Sequence, residues 1–213
     1  MARRLSVLRN SVLIFFAILM ARITWAYAGL ETDVAFLRIK QWVLPNPLWQ
    51  GAFFVHVFSS LWLILAGLTQ FSGDFLCRFR PWHRRLGRAY VLILLFAAGP
   101  SGLLMGFYAN GGLLSQASFV LLALLWLYTT AQAWRRALRR DFKAHRRWMI
   151  RSYALTLSAL SLRAWKWLLA LTLALPPMDL YQIVAWLGWL PNLLLAEWLI
   201  RRPLKAGPAP QSA

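Results

Sequence analysis

The residues of this chain best suited to chemistry are its three histidines, His56, His83 and His145. Two of them open similar pieces. Trp82-His83-Arg84-Arg85-Leu86-Gly87-Arg88-Ala89-Tyr90 is echoed by Ala144-His145-Arg146-Arg147-Trp148-Met149-Ile150-Arg151-Ser152-Tyr153. Both read His-Arg-Arg and then Arg-x-Tyr, with one residue of difference in spacing, and both lead into apolar runs. The echo suggests a parallel duplication; the alternative is that basic tracts ahead of apolar helices look alike. A helix N-terminus disfavours imidazolium, and neutral imidazole is the metal-binding form. Histidines on neighbouring helices, with cations nearby for the propionates, are how membrane cytochromes hold haem. His83 and His145 are therefore the expected ligands of any haem b. His56 has no histidine at its own depth, which suits a helix–helix hydrogen bonder or a ligand contact.

A second pattern lies on one helical face. His145, Met149, Ser152, Thr156, Ala159, Arg163 and Lys166 recur at alternating steps of four and three, so the stripe points at protein, water or a ligand. A cation near mid-membrane costs about 2.5–3.5 kcal/mol on insertion scales, and Arg22 stands in another apolar run. The alternative for such side chains is snorkelling to the interface. Carboxylates are scarce, six in all. A cationic cluster short of acids suits an anionic ligand. The expectation is a polar cavity towards the outer leaflet bounded by His56, Arg22, Arg163 and Lys166, with Ser152 and Thr156 on the same stripe.

The elements that must position these groups follow from composition. Of 213 residues, 60% are apolar and only 14% charged, against about a quarter charged in a soluble domain. Six apolar runs approach the roughly 20 residues that cross a bilayer: 11–28, 51–71, 89–108, 113–133, 149–175 and 180–200. Basic residues alternate between the connections. Arg3, Arg4 and Arg9 precede the first run, and Arg78, Arg80, Arg84, Arg85 and Arg88 follow the second. Seven more lie from Arg135 to Arg147, and Arg201, Arg202 and Lys205 close the chain. The other loops are poor in them. The positive-inside rule then gives an all-α, polytopic bundle of six spans with both termini in the cytoplasm. The formal charge of +18 is explained by these loops and by anionic lipid headgroups, without nucleic acid. Residues 1–202 form one transmembrane domain and 203–213, rich in Pro and small residues, a disordered cytoplasmic tail. The arginines followed by Ala26-Tyr27-Ala28 resemble a cleaved signal, but Arg22 interrupts the apolar core. Val34–Val43 reads as a short amphipathic helix on the outer surface. Cys77 is the single cysteine and has no intramolecular partner.

His56 with Gly67, the His83–Tyr90 piece and the His145–Tyr153 piece with Arg163 together resemble a bacterial family of predicted membrane proteins, domain of unknown function 2306. The resemblance runs from about Gly51 to Lys166. It implies a multi-span protein of the bacterial cytoplasmic (inner) membrane and brings no settled activity. From the residues, three roles stand open: a scaffold or anionic-ligand or lipid-binding protein, with another membrane protein as a possible partner; a haem- or quinone-linked electron carrier; and a small transporter. No Ser-His-Asp set or HExxH motif is present, so an enzyme is the lesser expectation.

Overall fold

The computed structural model describes residues 2–71 and 78–202, with side chains from residue 2 to 10 and at 12 and 13 left out. The expected tail 203–213, Asp74, Cys77 and the side chains of Arg3, Arg4 and Arg9 lie outside the described residues. Every regular element among those described is helical: α1 (Ala2–Trp25), a 3-10 turn (Ala35–Lys40), α2 (Pro47–Gln70), α3 (Arg80–Phe107), α4 (Gly112–Leu138), α5 (Phe142–Thr156), α6 (Ser158–Thr172), α7 (Pro177–Leu187) and α8 (Leu190–Arg201). Among the described residues four segments are long and apolar enough to cross a membrane: α2, α3, α4 and Pro177–Arg201. Ile14–Trp25 is a shorter apolar stretch.

Local chemistry sets several starts. The Asn46 side chain accepts from the Leu48 and Trp49 amides at 3.0 and 3.3 Å, with Pro47 in the first turn of α2. Asp141 caps α5 by accepting from the Ala144 amide at 3.0 Å. Gly111 and Gly112, at φ 84° and 72°, turn the chain from α3 into α4 in a conformation open chiefly to glycine.

Successive helices pack side by side. α2 touches α1, α3 and α5; α4 touches α3, α5 and α7; α8 lies against α5 and α6 against α7. The main core gathers Leu63, Tyr90, Leu94, Trp126, Met149, Tyr153, Leu155 and Trp189. Outside it runs a belt of exposed large apolar residues, among them Phe15, Phe96, Leu124 and Trp167. Such a surface fits lipid and would be a liability in water. The basic loops collect at one end of the bundle, around Arg80 and Arg140, and the connections near Lys40, Tyr108 and Gly111 at the other.

Three apolar runs are not the uninterrupted helices the sequence suggests. α3 contains a π-helical segment, Leu94–Ala98, just before Pro100, which has no N–H for the ladder. The run 149–175 breaks at Leu157. There the Thr156 hydroxyl donates to Ser152 O at 3.1 Å, competing with the backbone ladder and bending it. The run 180–200 breaks at Gly188–Trp189, where Pro191 excludes the carbonyl four residues earlier.

The loop between α1 and α2 also differs from expectation. Val34–Val43 does not lie flat as an amphipathic helix. Its 3-10 turn folds over the end of the bundle, burying Leu37, Lys40, Val43 and Leu44 beside Tyr27, Trp49 and Phe53. The Tyr27 hydroxyl accepts from the Phe36 amide at 3.2 Å and fixes the fold-back.

Candidate ligand-binding site

Beneath this cap lies a cavity of about 180 Å³ between α2, α3, α4 and the α5–α6 break. Most of its wall is aromatic and aliphatic, from Phe36, Trp49, Met105, Phe119, Leu122 and Trp126. The polar groups in the wall include His56, Ser60, Lys40, Tyr108, Thr156, Ser158 and Tyr181, and among the described residues no Asp or Glu belongs to it.

His56 is held in one tautomer. Its Nδ1 lies 2.9 Å from Ala98 O; a carbonyl can only accept, so Nδ1 carries the proton and donates. Nε2 remains an acceptor, 3.5 Å from the Ser60 hydroxyl. Gly102 makes room for the ring: a Cβ there would fall 2.7 Å from His56 Cε1. The receiving carbonyl ends the π-helical segment of α3, and Gly102, one turn further on, leaves the space for the ring.

Lys40 enters the wall from the cap. Only 1% of it is exposed. Its ammonium donates to Tyr108 O and lies 5.8 Å from the Phe36 ring centroid and 5.3 Å from that of Trp42. No carboxylate pairs with it among the described residues. Burial pulls its pKa down to about 8. Trp49, also in the wall, is buried with its indole N–H unpartnered among the described residues.

Behind Thr156 lies a set of buried hydroxyls. The Tyr90 hydroxyl lies 2.6 Å from Thr156 Oγ1 and 3.2 Å from Ser152 Oγ, and Thr130 Oγ1 lies 2.7 Å from Ser152 Oγ. Trp126 Nε1 donates to Thr156 Oγ1 at 3.0 Å. With one proton per hydroxyl, Thr130 donates to the Trp126 carbonyl at 2.8 Å, Ser152 to Thr130 or Tyr90, Tyr90 to Thr156, and Thr156 to Ser152 O. Ser152 is fully buried and touches only this network. Thr156 belongs to the network and to the cavity wall.

The cationic residues expected around this cavity separate. Arg163 is exposed and lines neither described cavity, though its charge is felt by His56. Its Nη1 donates to the carbonyl of Ala159, a residue of the cavity wall, at 2.7 Å. Arg22 and Lys166 are exposed, belong to neither described cavity, and have no hydrogen bond or ion pair among the described residues. The reason is helical phase. The buried face of α1 carries Ala17, Met20 and Thr24 at steps of three and four, and Arg22 falls outside it. Arg163 and Lys166 both lie on α6, beyond the Leu157 bend.

His83 and His145 sit together at the opposite, basic end, close enough to sense each other's charge. His145 Nδ1 donates to Ala133 O at 2.9 Å, leaving Nε2 free. His83 Nδ1 is buried without a partner among the described residues. Neither histidine lines a described cavity, and no cluster of three or more His, Cys, Asp or Glu able to hold a metal ion occurs among the described residues.

Lys40 and Trp49 were not legible as site residues. The available signal is a lysine set among Phe36, Leu37, Ile39 and Trp42, where an ordinary surface lysine would have polar neighbours. Comparison with known proteins gives one kind of match. A family model described as predicted membrane protein (DUF2306) matches residues 53–200. No curated protein and no solved structure matches the chain.

Proposed function

The chain belongs to the DUF2306 family of predicted membrane proteins, and on that premise we propose that it is a non-enzymatic binding protein of the bacterial inner membrane. Its ligand is a small anion with a flat apolar body, taken up in the cavity beneath the Lys40 cap. The observation that carries this reading is Lys40, a buried ammonium in an aromatic wall with no carboxylate beside it. Trp49 N–H offers a second donor, and Arg163 adds positive potential. Size limits the ligand. An apolar cavity of about 150 Å³ holds a benzene ring, so 180 Å³ accommodates one substituted ring.

In this reading residues 1–202 form a six-span domain with both termini inside. The support is the gathering of basic loops at one end, which the positive-inside rule assigns to the cytoplasm. The cavity then opens towards the outer leaflet. Reporter fusions at Gly111 are expected to read outside and at Asp141 inside; the reverse result removes the orientation.

Benzoate is a suitable probe, followed by ligand-observed NMR on the purified protein. Lys40→Met is expected to weaken binding at least tenfold, about 1.4 kcal/mol, while toluene binding is retained. Equal benzoate affinity in both proteins removes the reading. The pH dependence has a defined sign. Anion binding needs the ammonium, so affinity falls as pH rises through about 8. Stability moves the other way. An unfolded lysine titrates near 10.4, so between about 8 and 10 the unfolded chain binds the extra proton. The burial cost of the charge is present in full below 8 and is relieved above it.

A second reading is favoured by one feature, the buried and unpartnered Nδ1 of His83 beside His145. These two residues would hold a haem b, and the protein would carry electrons. An absorbance spectrum of the detergent-purified protein separates the readings. A Soret band lost in His83→Ala and His145→Ala supports haem, and a colourless protein supports the ligand-binding role alone.

A further inference from the structure

A cleft at the basic end, remote from the Lys40 cavity, is lined by Arg84, Arg88, Ala137, Leu138, Arg140 and Phe142. Arg84 and Arg88 are four residues apart on α3, so their charges share a face and repel. Arg140 brings a third guanidinium from the α4–α5 turn. No carboxylate belongs to the lining. The nearest acid in sequence, Asp141, is occupied: it caps α5 and lies 3.7 Å from Arg136.

The backbone at Arg140 adds an independent observation. α4 closes in a Schellman motif, with the Asp141 amide donating to Arg136 O and the Arg140 amide to Ala137 O, both at 3.0 Å. This motif needs a left-handed residue after the cap, normally glycine. Here Arg140 takes it at φ 59°. A side chain at this position costs stability relative to glycine, and the side chain that bears this cost lines the cleft.

The lip of the cleft is apolar. Leu138 and Phe142 are 66% and 67% exposed and flank the arginines where the basic end meets the apolar belt. A site with three cations at its centre and bare hydrocarbon at its edge matches an amphiphile with a phosphate head and acyl chains. A soluble polyanion would leave the apolar lip uncovered.

We propose that Arg84, Arg88 and Arg140 hold the headgroup phosphate of an anionic phospholipid in the leaflet at the basic end, with its chains against Leu138 and Phe142. This site does not depend on the ligand read for the Lys40 cavity.

Arg140→Gly provides the test, because it separates binding from folding. Glycine relieves the left-handed strain, so the variant is expected to melt at the same temperature as the wild type or higher. Arg139→Ala removes one charge from the same turn without touching the cleft and serves as its match. Full-length, delipidated protein in detergent is titrated with phosphatidylglycerol and with phosphatidylcholine by native mass spectrometry. The wild type and Arg139→Ala are expected to prefer phosphatidylglycerol at least tenfold. Arg140→Gly and Arg84→Ala/Arg88→Ala are expected to lose at least fivefold of that preference. The proposal is overturned if Arg140→Gly keeps the preference, or if Arg139→Ala loses as much, which would mean bulk charge. It is equally overturned if inorganic phosphate at millimolar concentration displaces the lipid completely, which would mean a soluble-phosphate site.

Discussion

Replacing Gly67 with alanine should lower the melting temperature of the detergent-purified protein by roughly 5–15 °C. A Cβ at this position would lie 1.8 Å from Tyr153 Cε2 and 2.5 Å from two further ring atoms. The ring is pinned and cannot step aside cheaply. The Tyr153 hydroxyl donates to Ile64 O at 3.0 Å, and the ring lies against Phe71 at 5.1 Å. Relief requires the tyrosine to leave its place. That combines an overpacking cost of about 1–3 kcal/mol with a buried hydroxyl left unpaired at a similar cost. The helix-propensity gain of alanine over glycine, about 1 kcal/mol, offsets only part. The net is about 2–4 kcal/mol, at roughly 2–4 °C per kcal/mol for a chain of this size. Gly51→Ala is the internal comparison, since nothing lies within 4 Å of its Cβ position; the same helix should then be unchanged or slightly more stable. Gly67→Ala/Tyr153→Leu should recover part of the loss. An unshifted melting curve for Gly67→Ala would mean that Tyr153 does not occupy this notch.

The second large effect is expected where α5 meets α8. Arg151 donates to both carboxylate oxygens of Glu197, at 2.5 and 3.0 Å, and its guanidinium lies 4.6 Å from the Trp148 ring centroid. The two side chains are 20% and 29% exposed. Breaking a fully buried pair costs about 3–5 kcal/mol, and partial exposure reduces this to roughly 1–3 kcal/mol. Glu197→Gln and Arg151→Met should each destabilise by that amount. The double variant should lose clearly less than the sum, because neither substitution then strands a charge. Arg151→Lys should not rescue, since an ammonium cannot reproduce the fork across two oxygens. Thermal unfolding of the four proteins measures the coupling directly, and strictly additive losses would show that the pair does not fasten α8. Arg88, the counterpart of Arg151 in the repeated piece, lines the lipid cleft. Tyr90 and Tyr153 likewise differ: one serves the hydroxyl network and the other the Gly67 notch. The two pieces share a sequence and have separate duties.

The sequence by itself determined the membrane class, the helical content and the family. Each depends on quantities summed along the chain: apolar length, charge fraction and the His-Arg-Arg and Arg-x-Tyr pieces. It also placed Gly67 and His56 among the residues of interest, and set Ser152 and Thr156 on one face of α5. That face holds because hydroxyls at helical spacing must find partners once lipid replaces water. Only the tertiary structure decided which cations share a site. Arg22, Arg163 and Lys166 read as members of one cluster with His56; helical phase on α1 and the bend at Leu157 leave all three exposed and outside the cavity lining. Lys40 lies in Val34–Val43, which read as an amphipathic helix on the outer surface, and the fold-back held by Tyr27 carries it into the cavity wall. The breaks at Leu157 and Gly188 arise from side-chain competition for carbonyls and from a proline, which shift hydrogen bonds without changing hydropathy. Burial, phase and tautomer are set by neighbours distant in sequence: His56 takes its Nδ1–H form from a carbonyl at Ala98, and Gly102 leaves the space that lets it do so.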